Sequence, residues 1–318
     1  MDDNFFQCNI FAQCKKYQVP LRQCPQFLFV VMGIIIIIAS ISFYVIGERY
    51  VSDPRIVALV VMMVSTILLV IAFTITRSFE DLAEANRMKA EFVNIVSHQL
   101  RAPLTNLRWA TQFLLSEEFS AVAKTLSTGK ESEYFDIIKE NSARMEQLID
   151  DLLTITRLKE GRTDSKKTKF SLVGVAKGVV DEYKAFMAAS NISVDLKEGK
   201  NTPLVFASYP LIKIVVENLL GNAINYSKGG GKIAIEIESL PKKVQFKIKD
   251  QGIGIPVEDQ KYIFEKFFRA KNAVKAEVYG TGLGLFIVKM ILDTMKGRIW
   301  FKSQQDKGTT FYFTLPTS

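Results

Sequence analysis

The chain has 318 residues and a formal net charge of +8, with hydrophobic residues making up 48% of it. That length suits one or two compact domains plus a membrane anchor. The basic excess is modest and no Arg/Lys stripe interleaves with aromatic residues, so no nucleic-acid partner is indicated; the excess fits membrane-proximal charge and a phosphate-handling site.

The apolar residues are concentrated near the start. Phe27 to Ile46 carries no charge, and neither does Ile56 to Ile75. Each stretch has the length a helix needs to cross roughly 30 Å of hydrocarbon. Buried core helices are the alternative, but such helices seldom lack a polar face. A cleaved signal peptide fits poorly, because the first stretch is too long and a second follows almost at once. The expected order is a cytoplasmic segment (1–26), a transmembrane helix (27–46), a short extracytoplasmic loop (47–55) and a second transmembrane helix (56–76).

Lys15, Lys16 and Arg22 precede the first span, and Arg77, Arg87 and Lys89 follow the second. The intervening loop is nearly neutral, with Glu48, Arg49, Asp53 and Arg55. Basic residues favour the inside, so both termini are expected in the cytoplasm of a two-pass protein of the cytoplasmic membrane. The outer loop is too short for a ligand-binding domain. Cys8, Cys14 and Cys24 fall in the cytoplasmic segment, where disulfides are not expected. Their spacing matches no common zinc pattern. They read as free thiols, with a redox or metal role as the alternative.

Beyond the second span the pattern turns amphipathic. Val93, Val96, Leu100, Pro103, Leu107, Ala110 and Leu114 alternate steps of three and four, a heptad seam. Ile138, Met145, Leu148, Leu152 and Ile155 continue that register on a second helix. Ala121 to Ser132 reads as the turn between them. The resulting hairpin (77–161) cannot bury its seam alone, so a homodimer forming a four-helix bundle is expected. Gly161 to Lys169 reads as a polar, basic linker. The rest, 168–318, mixes helices and strands. Leu211 to Ile224 is helical, whereas Ile233/Ile235/Ile237, Val244/Phe246/Ile248 and Phe311/Phe313/Leu315 alternate. That pattern predicts a sheet covered on one side by helices.

His98 is the single histidine. The heptad places it opposite the seam, facing solvent, where an imidazole is available as a neutral nucleophile. Pro103 lies five residues on and cannot donate to the Gln99 carbonyl, so a bend or loosening is expected beside His98. Arg101 adds a cation suited to a phosphoryl group.

Ser97-His98-Gln99-Leu100-Arg101-Ala102-Pro103-Leu104, with Met88 to Val93 before it, resembles the H box of sensor histidine kinases. The resemblance continues almost to Ser318. Glu217 to Ser227 is similar to the N box. Asn218 and Asn222 are four apart on one helix face, and the resemblance makes Asn222 a Mg²⁺ ligand supported by Asn218. Amide oxygens suit that hard cation. Asp250-Gln251-Gly252-Ile253-Gly254 resembles the first glycine box, in which Asp250 accepts a hydrogen bond from the adenine amino group while Gly252 and Gly254 let the backbone pass close. Phe264 to Arg269 resembles the F box, and Arg269 to Tyr279 then reads as a mobile lid. Gly280-Thr281-Gly282-Leu283-Gly284 precedes an apolar helix, where backbone N–H groups can cradle phosphates. Lys307 to Phe311 resembles the last box and includes Thr309.

The resemblance therefore implies an α/β sandwich ATP-binding domain of the histidine-kinase/gyrase/chaperone ATPase type. It also implies nucleotide contacts from Tyr226, Lys228, Arg269 and Thr309 besides the asparagines, Asp250 and the glycine loops. ATP and Mg²⁺ would be used, His98 would be phosphorylated, and the phosphoryl would pass to an aspartate of a response regulator.

Four positions depart from the family pattern. Gln99 replaces the carboxylate that usually follows the histidine and serves as acid/base, and Ala102 replaces a Thr or Asn that assists dephosphorylation. Weak phosphatase activity is therefore expected; the alternative is that Gln99 is a tolerated variant. Asn225 replaces a common phosphate-touching Lys, with Lys228 as its substitute. Ser208 also replaces a common Asp, a change that looks structural. A scaffold that binds ATP without transfer is a second reading, suggested by Gln99. An ATP-hydrolysing relative is a third, but it would need a water-activating Glu where Asn218 stands. The signal is not legible; the spans themselves or a membrane partner protein would supply it.

Overall fold

The computed structural model describes residues 25–51, 53–115, 129–160, 166–200, 202–227, 229–276 and 280–317. The expectations placed on Cys8, Cys14, Cys24 and Lys228 lie outside the described residues. The chain divides into two compact units, Met1–His98 and Gln99–Ser318.

In the first unit, α1 (Pro25–Tyr50) and α2 (Pro54–Leu114) are the main elements. Both are long and apolar enough to cross a membrane. Ile34, Ile37, Ile38, Ile41, Met62 and Leu69 all stand exposed. Hydroxyls within these apolar runs are satisfied internally. Thr66 donates to the Met62 carbonyl and Thr74 to the Val70 carbonyl, each at 2.8 Å. Ser40 and Ser65 hydrogen-bond across the two helices at 2.7 Å. Helix occupies most of the expected loop 47–55: α1 persists to Tyr50 and α2 begins at Pro54.

In the second unit, α2 residues from Gln99 onward pair with α3 (Gly129–Lys159). Asn106 Nδ2 donates to Asn141 Oδ1 at 3.3 Å, and Phe113 stacks on Tyr134 at 4.5 Å. Ala110, Leu148 and Ile155 of the expected seams are buried, and Leu100 and Leu152 are half-buried. Leu104, Trp109, Phe135, Ile149 and Leu153 leave a second apolar side exposed. The expected turn Ala121–Ser132 is shortened at its end, because Gly129 to Ser132 already belong to α3; residues 121–128 lie outside the described residues. Helix α2 also continues unbroken through Pro103, so the missing hydrogen bond is absorbed without ending the helix.

The α/β region begins within the expected linker. β1 (Thr168–Phe170) pairs antiparallel with β3 (Val205–Ala207), which moves Thr168 and Lys169 from linker to strand. Between them lie α4 (Leu172–Glu182), α5 (Lys184–Ala189) and β2 (Ile192–Glu198). Ser171 caps α4 by accepting from Gly174 N–H at 3.2 Å. There follow α6 (Tyr209–Tyr226), β4 (Gly231–Leu240), β5 (Lys243–Lys249), α7 (Lys271–Lys275), α8 (Gly284–Thr294), β6 (Arg298–Gln304) and β7 (Gly308–Pro316).

The five-stranded sheet runs β2-β4-β5-β7-β6. β2 and β4 are parallel and the other pairs antiparallel. Alternation decides its two faces. Ile233, Ile235, Ile237, Val244, Phe246, Ile248, Phe313 and Leu315 point into a core shared with α4, α6 and α8. Phe246 and Phe313 are register partners and stack at 4.7 Å. On the opposite face Lys247 pairs with Glu236 at 2.7 Å and Trp300 stacks on Tyr312 at 5.4 Å. The result is an α/β sandwich with its helices on one side.

Candidate nucleotide site and phosphoacceptor helix

An open pocket of about 570 Å³, counting space continuous with solvent, lies between α6, the segment after β5, α7 and the start of β7. Asn222, Tyr226, Asp250, Gly254, Arg269 and Thr309 line it. Asn222 and Tyr226 come from successive turns of α6. The Asn222 amide makes no hydrogen bond among the described residues. Burial raises the Tyr226 hydroxyl above the usual phenol range, and the nearby Arg269 cation opposes that rise.

Asp250 follows β5 directly and is only 6% exposed. Its Oδ1 accepts from Gly252 N–H at 2.9 Å and Thr309 N–H at 3.0 Å. Among the described residues its Oδ2 has no partner. Burial pushes this carboxyl above the ordinary aspartate range, and the two N–H donors pull it partly back. The next turn is tight. Gly254 has φ +60°, and a Cβ there would lie 2.0 Å from the Gln304 carbonyl oxygen.

Several lining residues were not named as site residues from the sequence. Ile253, Ile255, Ile263, Phe268, Leu285 and Phe311 form apolar walls. Asn272 donates to the carbonyls of Ile253 and Gly254, at 3.2 and 2.9 Å. Asp259 accepts from Lys271 N–H at 2.8 Å, where α7 begins. The segment expected as a mobile lid thus contains a short helix fixed at two points; residues 277–279 lie outside the described residues. An Asn or Asp in a polar loop gives no sequence signal of this kind.

Other expected residues stand apart from the pocket lining. Asn218 donates to the Ile214 carbonyl at 2.9 Å, and its Oδ1 sits where a Cβ on Gly284 would be 2.4 Å away. Gly252 contributes its N–H to Asp250. Gly280 is open, Gly282 accepts from Phe267 N–H at 2.9 Å, and Leu283 is fully buried. Thr281 Oγ1 accepts from Leu283 N–H at 3.2 Å and donates to Asp151 Oδ2 at 2.8 Å. Gln99 Nε2 donates to the Thr281 carbonyl at 3.2 Å. Asn225 is exposed, and the Ser208 hydroxyl is fully buried without a partner among the described residues. On α2, His98 and Arg101 are exposed.

Two domain families match this chain. The His Kinase A (phospho-acceptor) domain covers residues 88–161. The histidine kinase-, DNA gyrase B-, and HSP90-like ATPase covers residues 207–318. The chain belongs to the two-component sensor histidine kinases. Drug sensory protein A of Synechocystis sp. is 33% identical over 245 residues, covering 73% of this chain and 35% of that protein. The adaptive-response sensory kinase SasA of Crocosphaera subtropica is 30% identical over 246 residues, covering 77% of this chain and 63% of that protein. The crystal structure of histidine kinase ThkA in complex with response regulator protein TrrA matches with a TM-score of 0.53 at 26% identity, over 75% of this chain and 64% of that one. This histidine kinase chain thus spans about a third to nearly two thirds of the length of its curated relatives.

Proposed function

We propose that the chain is a membrane-anchored histidine kinase that transfers the γ-phosphoryl of ATP to His98 and then to an aspartate of a response regulator. The observation that carries this reading is the Asp250 carboxyl. One oxygen is fixed by two backbone N–H groups, and the other is left as an acceptor in an apolar-walled pocket. That is the arrangement an adenine amino group requires. A His98 nitrogen attacks the γ-phosphorus, the bond from γ-phosphorus to the bridging oxygen breaks, and ADP leaves. Positioning and neutralisation of charge supply most of the rate.

Among the described residues no cluster of three or more His, Cys, Asp and Glu could hold a metal. The Asn222 amide still fits Mg²⁺, a cation that usually takes one or two protein oxygens and completes its shell with water and phosphate. When bound, Mg²⁺ would neutralise phosphate charge.

The two apolar helices support a two-pass anchor in the cytoplasmic membrane with both termini inside. The exposed apolar side of the hairpin supports a second copy as its cover, giving a four-helix bundle. Response-regulator transfer is supported by the likeness to ThkA, which was crystallised with such a partner. Phosphatase activity is weak in this reading, because both Gln99 and Ala102 lack the usual groups. Input comes from the spans or from a membrane partner.

The test uses γ-labelled ATP with the full chain and with His98→Ala. Acid-labile label that disappears in the variant supports the reading. Nucleotide binding without any label would replace it with the ATP-binding scaffold.

A further inference from the structure

Asp151 belongs to none of the motifs above, yet it is a carboxylate only 5% exposed on α3 of the hairpin. A buried charge persists only where hydrogen bonds compensate it. Gln147 Nε2, one turn earlier, donates to its Oδ1 at 2.9 Å, and Thr281 Oγ1 donates to its Oδ2 at 2.8 Å. Burial pushes this carboxyl up and those two donors pull it down. Thr281 is also held from the other hairpin helix, since Gln99 donates to its carbonyl at 3.2 Å. The carbonyl and the hydroxyl of one loop residue are therefore engaged by α2 and α3 respectively. The same hydroxyl accepts from Leu283 N–H at 3.2 Å, so the hold extends into the turn that starts α8.

Apolar packing alone already joins these parts. Leu148, Ile155 and Leu158 of the hairpin share a core with Leu283, Ile287 and Ile291. Such contacts are non-directional and tolerate sliding, whereas two hydrogen bonds of fixed geometry between hairpin and loop specify one register. The choice of Gln at 99 fits this role, because a carboxylate there would offer an acceptor to a carbonyl.

We propose that Asp151 and Gln99 clamp Thr281 and so fix the glycine-rich loop before α8 against the hairpin, as positioning residues for phosphoryl transfer. The inference rests on the kinase reading above. Asp151 does not line the pocket, so it acts on transfer and not on nucleotide affinity.

The test compares Asp151→Ala, Asp151→Asn, Thr281→Val and the Ala/Val double variant in the full chain. Expected at saturating ATP is a loss of about tenfold or more in the rate of His98 labelling for Asp151→Ala. Affinity of that variant for a non-hydrolysable ATP analogue stays unchanged. Asp151→Asn, which keeps an acceptor for Thr281, stays close to wild type. The double variant is no slower than the slower single one, because both remove the same contact. An unchanged or raised rate in Asp151→Ala, a parallel loss of affinity, or an Asn variant as impaired as Ala would overturn the clamp. Hydrogen exchange at the Leu283 amide tests it without any activity: exchange should be faster in Asp151→Ala, and equal exchange refutes it. A wild-type chain that binds nucleotide without labelling His98 removes the kinase reading, while the exchange result still decides the clamp.

Discussion

Asp250 and Thr309 exchange two hydrogen bonds. Asp250 N–H donates to the Thr309 carbonyl at 2.9 Å, and Thr309 N–H donates to Asp250 Oδ1 at 3.0 Å. The pair ties the end of β5 to the start of β7 and fixes the carboxyl at the pocket wall. Because one oxygen serves the fold and the other meets no donor among the described residues, structure and binding can be separated at this residue.

Asp250→Asn makes that separation. The amide oxygen can still accept both N–H groups, but the second acceptor becomes a donor. Burial raises the folded-state pKa above the ordinary 3.8. Stability from such a group is fully present below its unfolded pKa and is lost as pH rises through the raised folded value. At neutral pH the ionised carboxyl is therefore a net cost that Asn avoids. The Asn variant should melt at the same or a higher temperature than wild type at pH 7, with the difference shrinking toward pH 4. Its affinity for ATP should fall roughly 10- to 100-fold, the worth of a hydrogen bond to a charged group. Thermal melts across pH and nucleotide titration measure the two effects.

Two glycines of the nucleotide loops should respond in opposite ways to the same change. Gly254→Ala meets a positive φ and a backbone carbonyl 2.0 Å from the new Cβ, so the loop after Asp250 must shift. A loss of about 3 kcal/mol or more is expected, with weaker nucleotide binding. Gly280→Ala meets nothing within 4 Å and has no positive φ. It should stay within about 0.5 kcal/mol of wild type. Denaturant melts of both variants check the contrast.

Much of this was legible because it depends on period and punctuation. Alternation at Ile233/Ile235/Ile237 and Val244/Phe246/Ile248 reports one buried face, and the sheet obeys it. The uncharged runs at 27–46 and 56–75 report helices with no polar face. Contacts between distant segments leave no such trace. Asp151 looks like any acidic residue of an amphipathic helix until the fold brings Thr281 to it, 130 positions away. Asn272 reads as loop polarity until it reaches the carbonyls of Ile253 and Gly254. Helix α2 runs on through Pro103, because neighbouring turns and tertiary packing carry a helix across one missing hydrogen bond.

Gln99 separates two contributions that compete in sign. Gln99→Leu removes the donor to Thr281 and supplies nothing, so labelling of His98 should slow about fivefold, the worth of one neutral hydrogen bond. Gln99→Glu loses the same donor but adds a potential base beside the nucleophile, which is worth roughly 10²- to 10⁴-fold. The second effect is the larger, so Gln99→Glu should be faster than wild type. Initial rates with labelled ATP decide it, and a Glu variant as slow as Leu would show that no carboxylate base is needed at this position.

Phosphatase activity should be nearly absent in the wild type. Gln99 cannot take a proton at any useful pH, and Ala102 offers no hydroxyl or amide to orient water. A phosphorylated response regulator mixed with this chain and ADP should lose phosphate little faster than it does alone. Ala102→Thr should raise that rate, most clearly in combination with Gln99→Glu, because orientation of water and proton removal act on the same step. Rapid loss with the wild-type chain would exclude this account.

Membrane topology can be read from the native cysteines. All three, Cys8, Cys14 and Cys24, precede the first apolar helix. With both termini inside, a membrane-impermeant maleimide should leave intact cells unlabelled and should label the chain only after permeabilisation. A serine substitution at Val51, between α1 and α2, is not informative, but Val51→Cys in a variant whose three native cysteines are replaced by Ser should reverse the pattern, labelling in intact cells. Val51 stands exposed between two helices whose facing residues approach closely, since a Cβ on Gly47 would lie 2.5 Å from Val57 Cγ1. In a two-pass arrangement the chain returns to its starting side within very few residues, and the two labelling patterns are then opposite. Labelling of the native cysteines in intact cells would invert the orientation and place His98 on the side without ATP.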